Sequence, residues 1–192
     1  MTKAELLVIA EELGLIISSG ATKSQIITAI LADQTIETTP SQSGTLTYDG
    51  TAKTPTWSNY EENQLTISGD TTGTNAGSYT ATFTPTDGHQ WEDETTTGKT
   101  ATWTIGKAEG SLTLSANTAT LDSETTTATI TVTDPTGEVS VDSSDETAAT
   151  AEISEGTITI TRVGAGSTTV TVTAAASANY NEATDTITVT VE

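Results

Sequence analysis

Alternation of threonine with aliphatic residues is the sequence feature that most constrains the fold. About a quarter of the residues are threonine, and many alternate with Ile or Val at period two. The segments 127–133, 168–174 and 184–191 read TATITVT, TTVTVTA and TDTITVTV. β-Branched residues fit the pleated surface of a sheet, and this period is typical of strands with one buried face. The sequence therefore predicts a mostly β protein.

Charge and cysteine content exclude several classes of partner. The formal net charge is -20, from 26 acidic and 6 basic residues, so the surface repels nucleic-acid phosphates and anionic membranes. The chain has no cysteine, hence no disulfide and no thiolate ligand for a metal. No apolar run is long enough for a membrane span. We expect no cofactor, no nucleic acid and no membrane among the partners.

The first 33 residues contain a repeated helical pattern. Residues 2–10 read TKAELLVIA, and residues 22–30 read TKSQIITAI. Each begins with a capping box, Thr-x-x-Glu in the first and Thr-x-x-Gln in the second, and aliphatic residues then recur at helical spacing. The pattern predicts a two-helix hairpin at 1–33.

This hairpin has more apolar side chains than two short helices bury, and it is too short for a stable core of its own. These side chains either close a minimal core or form a docking face for another protein. The residues expected to dock, taken as a group, are Leu6, Leu7, Ile26, Ile27 and Ile30.

The next two segments predict a linker and a first β domain. Residues 34–43 are polar and contain Pro40, which favours a linker. Residues 44–107 contain alternating runs separated by turn residues, which predicts an antiparallel sandwich. Trp103 is in phase with the predicted core face, whereas Trp91, in a polar stretch, is either a core residue or a contact for a glycan. The strands are expected at 44–48, 64–68, 78–84 and 100–105.

Residues 108–192 predict a second sandwich. Seven short strand-like runs are separated by turn residues, which matches the strand count of a constant-type immunoglobulin-like sandwich. The expected strands are 112–115, 127–133, 138–143, 148–153, 157–163, 168–174 and 184–191.

We find no catalytic constellation and expect no enzyme. The single histidine, His89, lies in the polar stretch DGHQ and is expected to be solvated. Acidic clusters at 61–62, 92–94 and 142–146 are expected to be solvated turns, with weak Ca²⁺ binding as the chemical alternative.

Three segments resemble known families. The hairpin, through its TK-x-[EQ]-[LI]-[LI] starts and its Leu13-Gly14-Leu15 turn, resembles helix-extension-helix units related to SAP, LEM and Rho N-terminal domains. Some of those relatives bind nucleic acid, but this copy has few basic residues, so the resemblance implies protein docking. The segments LTYDGTAKTP, GTNAGSYTATFTP and ATWTIGKA resemble bacterial immunoglobulin-like MBG or YDG modules.

The second β domain resembles bacterial Ig-like group 2 domains. The segments that carry this resemblance are LTLSANTATL at 112–121, the run from 139 to 174, and SANYNEAT at 177–184. Val141 stands where family members frequently have a tryptophan, which implies a smaller side chain at that position of the core.

Together the resemblances imply a phage virion accessory protein. Ig-like repeats of these kinds are found on bacterial surface proteins and phage virions, and helix-extension-helix segments starting MTKAELL occur in short phage proteins. No export signal is visible, so we expect assembly in the host cytoplasm. The expected role is a capsid decoration protein or head fibre on the capsid exterior, docked on a capsid or other virion protein through its helices. Homo-oligomers on the virion and weak contact with host carbohydrate are compatible with this role.

Three alternatives remain open. The chain could be a tail or baseplate appendage, or a fragment of a bacterial surface adhesin. It could also be a carbohydrate-binding module that uses Trp91.

Overall fold

The computed structural model describes all 192 residues, and 45% of them lie in strands against 11% in helices. The predicted mostly β fold class is confirmed: two Ig-like sandwiches follow a short helical hairpin. In chain order, the elements are α1 (Lys3–Glu12), α2 (Lys23–Gln34), β1 (Thr35–Ile36), β2 (Ser41–Ser43), β3 (Leu46–Thr47), β4 (Thr56–Ser58), β5 (Leu65–Gly69), β6 (Gly77–Pro85), β7 (Gln90–Trp91), β8 (Lys99–Gly106), β9 (Thr113–Leu114), β10 (Thr118–Leu121), β11 (Thr127–Thr133), β12 (Val139–Ser143), β13 (Ala149–Ser154), β14 (Thr157–Arg162), β15 (Gly166–Ala174) and β16 (Ala183–Val191).

The chain forms two compact units, and the hairpin belongs to the first of them. The first unit comprises Met1–Leu46, Ala52–Gly73 and Ser78–Thr104. The second comprises Thr47–Thr51, Thr74–Gly77 and Ile105–Glu192.

Both helices of the hairpin begin with the predicted capping boxes. The Glu5 N–H donates to Thr2 Oγ1 at 3.2 Å, and the Gln25 N–H donates to Thr22 Oγ1 at 3.3 Å. Each Glu or Gln side chain in turn accepts from its threonine's N–H, so orphan donors at both helix starts are satisfied. Gly14 follows α1 with φ +73°, a left-handed conformation that glycine adopts without steric cost.

The first sandwich is built around aromatic side chains. Its main sheet has the order β3-β8-β6-β5, and β2 pairs with β4 beside it. Phe83 and Trp103 are fully buried, which confirms the core position predicted for Trp103. Trp57 packs edge-on against Phe83 with 4.8 Å between ring centroids, and Tyr79 stacks on Trp103 at 4.4 Å. Such ring pairs stabilise a core beyond the area that they bury.

The second sandwich packs two four-stranded sheets face to face. Their orders are β10-β16-β15-β12 and β13-β14-β11-β9. Alternate aliphatic residues of both sheets point into one core, and the intervening threonines point outward, as the period-two pattern predicts. One pairing is parallel: β10, which the sequence did not predict as a strand, pairs with β16. The buried core residues are Leu114, Leu121, Ile130, Val132, Ala149, Ile158, Ile160, Val170, Val172, Ile187, Val189 and Val191.

The predicted linker needs a correction, because residues 34–43 contain two strands. β1 pairs in parallel with β7, and the side chain of Ile36 is buried there. β2 pairs with β4, and the side-chain amide of Gln42 bonds both backbone groups of Thr104, at 2.8 and 3.1 Å. Two short strand pairings, the buried side chains of Ile36 and Pro40 and the Gln42 amide attach this segment to the first unit.

Candidate docking surface

Exposed apolar side chains are concentrated in the helical hairpin. Seven of the eight large hydrophobic side chains that remain exposed lie within the first 31 residues, and only Val163 lies elsewhere. Isolated exposed apolar residues are normal on soluble proteins, whereas their concentration in one segment makes that segment the candidate docking surface. The seven are Met1, Leu7, Val8, Leu13, Ile16, Ile27 and Leu31.

The structure divides the five residues that the sequence predicted to dock. Leu6, Ile26 and Ile30 are buried in the core of the hairpin, which corrects their assignment to a docking face. Leu7 and Ile27 are 37% and 38% exposed. Successive helical residues point about 100° apart, because one turn takes about 3.6 residues, so neighbours in the sequence separate into core and surface.

Sequence reasoning missed other members of this surface. Val8 and Leu31 are about half exposed, and the side chain of Ile16, in the loop between the helices, is fully exposed. Ile16 and Gln25 border an open cleft of about 430 Å³. For Val8 and Leu31, the signal in the sequence is their position on the outer face of the helical pattern. We call the exposed group Leu7, Val8, Ile16, Ile27 and Leu31 the hairpin face.

The hairpin is also nearly neutral in a strongly acidic chain. Residues 1–34 have two lysines against four acidic side chains, a net charge of -2, whereas the whole chain carries -20. The hairpin face can therefore approach another protein with little of the charge repulsion that the sandwiches impose.

Of the two alternatives that the sequence left open for Trp91, a core residue or a glycan contact, the structure shows a core residue. Its side chain is 1% exposed, and its indole N–H donates to the Thr97 carbonyl at 2.8 Å. The Lys99 ammonium lies 4.9 Å from the ring centroid, within the range of a cation–π interaction. A sugar cannot stack on a ring whose surface is covered by the protein.

Acidic residues at the strand ends hold turns together. In three Asp-x-Thr turns, beginning at Asp49, Asp93 and Asp145, the carboxylate accepts from the threonine N–H and from its hydroxyl. The hydrogen bond from the Lys99 ammonium, followed by that from the Thr95 hydroxyl, lowers the pKa of Asp93 to about 2. The Thr147 hydroxyl, followed by its N–H, lowers the pKa of Asp145. These carboxylates are thus structural groups of the turns.

The remaining polar groups do not converge on one point. The ring of His89, half-buried, lies with Nδ1 at 3.0 Å from the Thr86 hydroxyl. No three acidic or histidine side chains are arranged to hold a metal ion. Neither helix is long and apolar enough to cross a membrane.

Comparisons with known proteins give only distant structural likenesses. No protein-family model matches the chain, and no curated protein matches its sequence. Domains 4 and 5 of the S-layer protein SbsC align over 60% of this chain and 58% of that chain, with 21% identity and a TM-score of 0.35. Extracellular domains 3–5 of Drosophila OTK align over 80% and 60%, with 14% identity and a TM-score of 0.41.

A third likeness is to a SusE-like surface located polysaccharide binding protein from Bacteroides thetaiotaomicron, over 79% of this chain and 33% of that chain, with 14% identity and a TM-score of 0.32. The chain thus spans 58% and 60% of the first two proteins. Strand order and core packing define the fold of the two sandwiches.

Proposed function

We propose that this chain is a non-enzymatic structural accessory protein of a phage virion, a capsid decoration protein or head fibre. The hairpin face docks on a capsid or other virion protein, and the sandwiches project outward. The observation that carries the proposal is the concentration of exposed large apolar side chains in the hairpin, whereas the rest of the chain exposes only Val163. The resemblance of the hairpin to helix-extension-helix segments of phage proteins supports the virion assignment.

Charge supports the same orientation. The residues outside the hairpin carry -18 of the -20 net charge, so copies on one particle repel each other through their sandwiches and stay dispersed and hydrated. The near-neutral, apolar hairpin is the part that an interface can bury without desolvating many charges.

The first experiment asks whether the protein is part of the virion. Virions purified from the phage that encodes the chain are analysed by quantitative mass spectrometry. We expect the protein in a fixed stoichiometry to the major capsid protein. Its absence from particles purified through a density gradient would reject the virion assignment.

The second experiment tests the docking surface with point variants. Deleting the first 40 residues is a poor test, since it also removes Ile36 from the core that surrounds Trp91. Instead, the double variant Leu7→Gln/Ile27→Gln keeps helix-forming residues and changes two partly exposed positions. Particles that lack the protein are mixed with purified protein and sedimented.

We expect the double variant to bind about tenfold more weakly or worse, because burying aliphatic surface at each position contributes on the order of 1 kcal/mol. Val163→Gln, at the exposed apolar residue of the second unit, is the matched control and should bind like wild type. Circular dichroism verifies that each variant is folded. Equal binding by the double variant would place the docking surface elsewhere.

A further inference from the structure

Strand β1 has one open edge. It pairs with β7 on one side only, and the two strands form a separate two-stranded parallel sheet. The Glu92 N–H donates to the Ile36 carbonyl at 3.0 Å, so Ile36 directs its backbone toward β7. In a strand this direction alternates from one residue to the next, so a segment added on the open side would meet the backbone groups of the residues that flank Ile36, namely Thr35 and Glu37, which follows the strand. An unpaired strand edge is a template for a further extended segment.

Two adjoining clefts lie along β1. One, of about 220 Å³, separates residues 35–38 from the loop at 59–64. The other, of about 330 Å³, lies where α2 meets β1 and is bordered by Leu31, whose side chain is 52% exposed. Thr35 and Glu37 line both clefts, so the two adjoin at β1, and we call them together the groove.

The charge of the groove selects its occupant. Glu37, Glu61 and Glu92 line it, and neither lysine nor arginine does. A carboxylate-lined groove favours a cationic segment and repels an acidic one. Leu31 adds an apolar wall on the helix side.

We propose that the open edge of β1 binds an extended basic peptide segment of a partner protein by strand addition. The backbone of the segment bonds to that of Glu37, its basic side chains face Glu37, Glu61 and Glu92, and an apolar side chain covers Leu31. Hydrogen bonds between backbones supply the affinity, and the charges select the partner. This site goes beyond the proposed function and does not depend on the virion assignment.

The test uses a synthetic, fluorescently labelled eight-residue peptide in which lysine and valine alternate. Its binding to the full-length chain is measured by fluorescence anisotropy at low and at physiological ionic strength. We expect saturable binding, with amide NMR shifts centred on residues 35–38. A peptide of the same sequence with alternate backbone N-methylation should bind about tenfold more weakly, because it has lost donors to the strand edge.

Protein variants test the contribution of the carboxylates. Glu37→Gln/Glu61→Gln should weaken binding about threefold to tenfold, since each exposed ion pair contributes little. The control, Glu124→Gln/Glu138→Gln, removes two exposed acidic residues of the second unit and should have no effect.

Three results would overturn the proposal. The first is equal affinity for the N-methylated and the unmethylated peptide. The second is displacement of the labelled peptide by spermine as readily as by the unlabelled peptide. Either result would reduce the effect to non-specific attraction to acidic side chains. The third is absence of binding, or NMR shifts confined to residues outside 28–38, 59–64 and 90–92. These measurements use the isolated chain, so failure of this proposal is distinguishable from failure of virion docking.

Discussion

Replacing Trp91 by alanine should strongly destabilise the first unit, because this residue of β7 is buried where β7 pairs with β1. The side chain is 1% exposed and donates one hydrogen bond of 2.8 Å to Thr97. Truncating a buried tryptophan to alanine costs about 3–5 kcal/mol of the free energy of unfolding. Of this, about 0.5–1.5 kcal/mol belongs to the hydrogen bond, and the rest to lost packing and the cavity.

Urea unfolding followed by tryptophan fluorescence measures this cost selectively. All three tryptophans lie in the first unit, so their emission reports the unfolding of that unit. With a slope of about 2 kcal/mol per molar urea, a loss of about 4 kcal/mol lowers the midpoint by about 2 M. Trp91→Phe keeps an aromatic ring but not the donor, so its midpoint should fall by about half as much or less.

Ile16→Ala is the matched control, because the Ile16 side chain is fully exposed, and its urea midpoint should equal that of wild type. A Trp91→Ala protein with an unchanged midpoint would refute the core assignment. If that variant also lost binding on a glycan array, the ring would be a sugar contact after all.

Three further predictions test other parts of the structure. Gly73→Ala should cost the first unit about 1–3 kcal/mol, because an added Cβ would lie 2.6 Å from an atom of the Tyr79 ring, whereas Gly20→Ala, with open space around it, should be neutral in the same urea assay. Thr168→Val should cost the second unit about 1–3 kcal/mol of the free energy of unfolding, because the buried hydroxyl accepts the Asp145 N–H at 2.9 Å. Urea unfolding followed by far-UV circular dichroism should detect this loss. The midpoint measured by tryptophan emission, which reports on the first unit, should not change. The pKa of Asp93 is lowered from 3.8 to about 2 in the folded state, so its stabilising effect is complete above pH 3.8 and is lost as pH falls toward 2. The thermal midpoint of Asp93→Asn should therefore be lower than that of wild type at pH 7, and the two midpoints should converge near pH 2. Parallel pH profiles for the two proteins would contradict that assignment.

Local signals in the sequence predicted the regular part of the fold. The capping boxes at Thr2 and Thr22 fix both helix starts, because each depends on residues only three positions apart. The long strands β11, β14, β15 and β16 follow from alternation of threonine with Ile or Val, since a one-residue slip would turn the whole aliphatic set toward water.

Long-range pairings of very short strands could not be predicted in this way. β1 and β7 have two residues each, lie in polar segments and pair across more than 50 positions of the chain, so neither has a periodic pattern. The same limit explains why Ile36 was assigned to a linker and why core and glycan contact both stayed open for Trp91. Ile36 and Trp91 are register partners and both are buried, and a sequence pattern contains no information on such a partner.

The exposure of apolar side chains in the hairpin was predicted at the level of the segment and not of the residue, and docking there stays a prediction. The excess of apolar side chains correctly indicated that the hairpin exposes some of them. Which ones are exposed depends on the packing of α1 against α2, which buries Leu6 and Ile26 and leaves Leu7 and Ile27 partly exposed.

A cryo-electron microscopy map of the phage particle is the most direct test of the central claim, that the helical hairpin attaches this protein and its sandwiches project. We predict density for the hairpin in contact with the shell, with Leu7 and Ile27 covered by a capsid or other virion protein and both sandwiches on the outside. A map in which a sandwich contacts the shell and the hairpin extends into solvent would contradict the account.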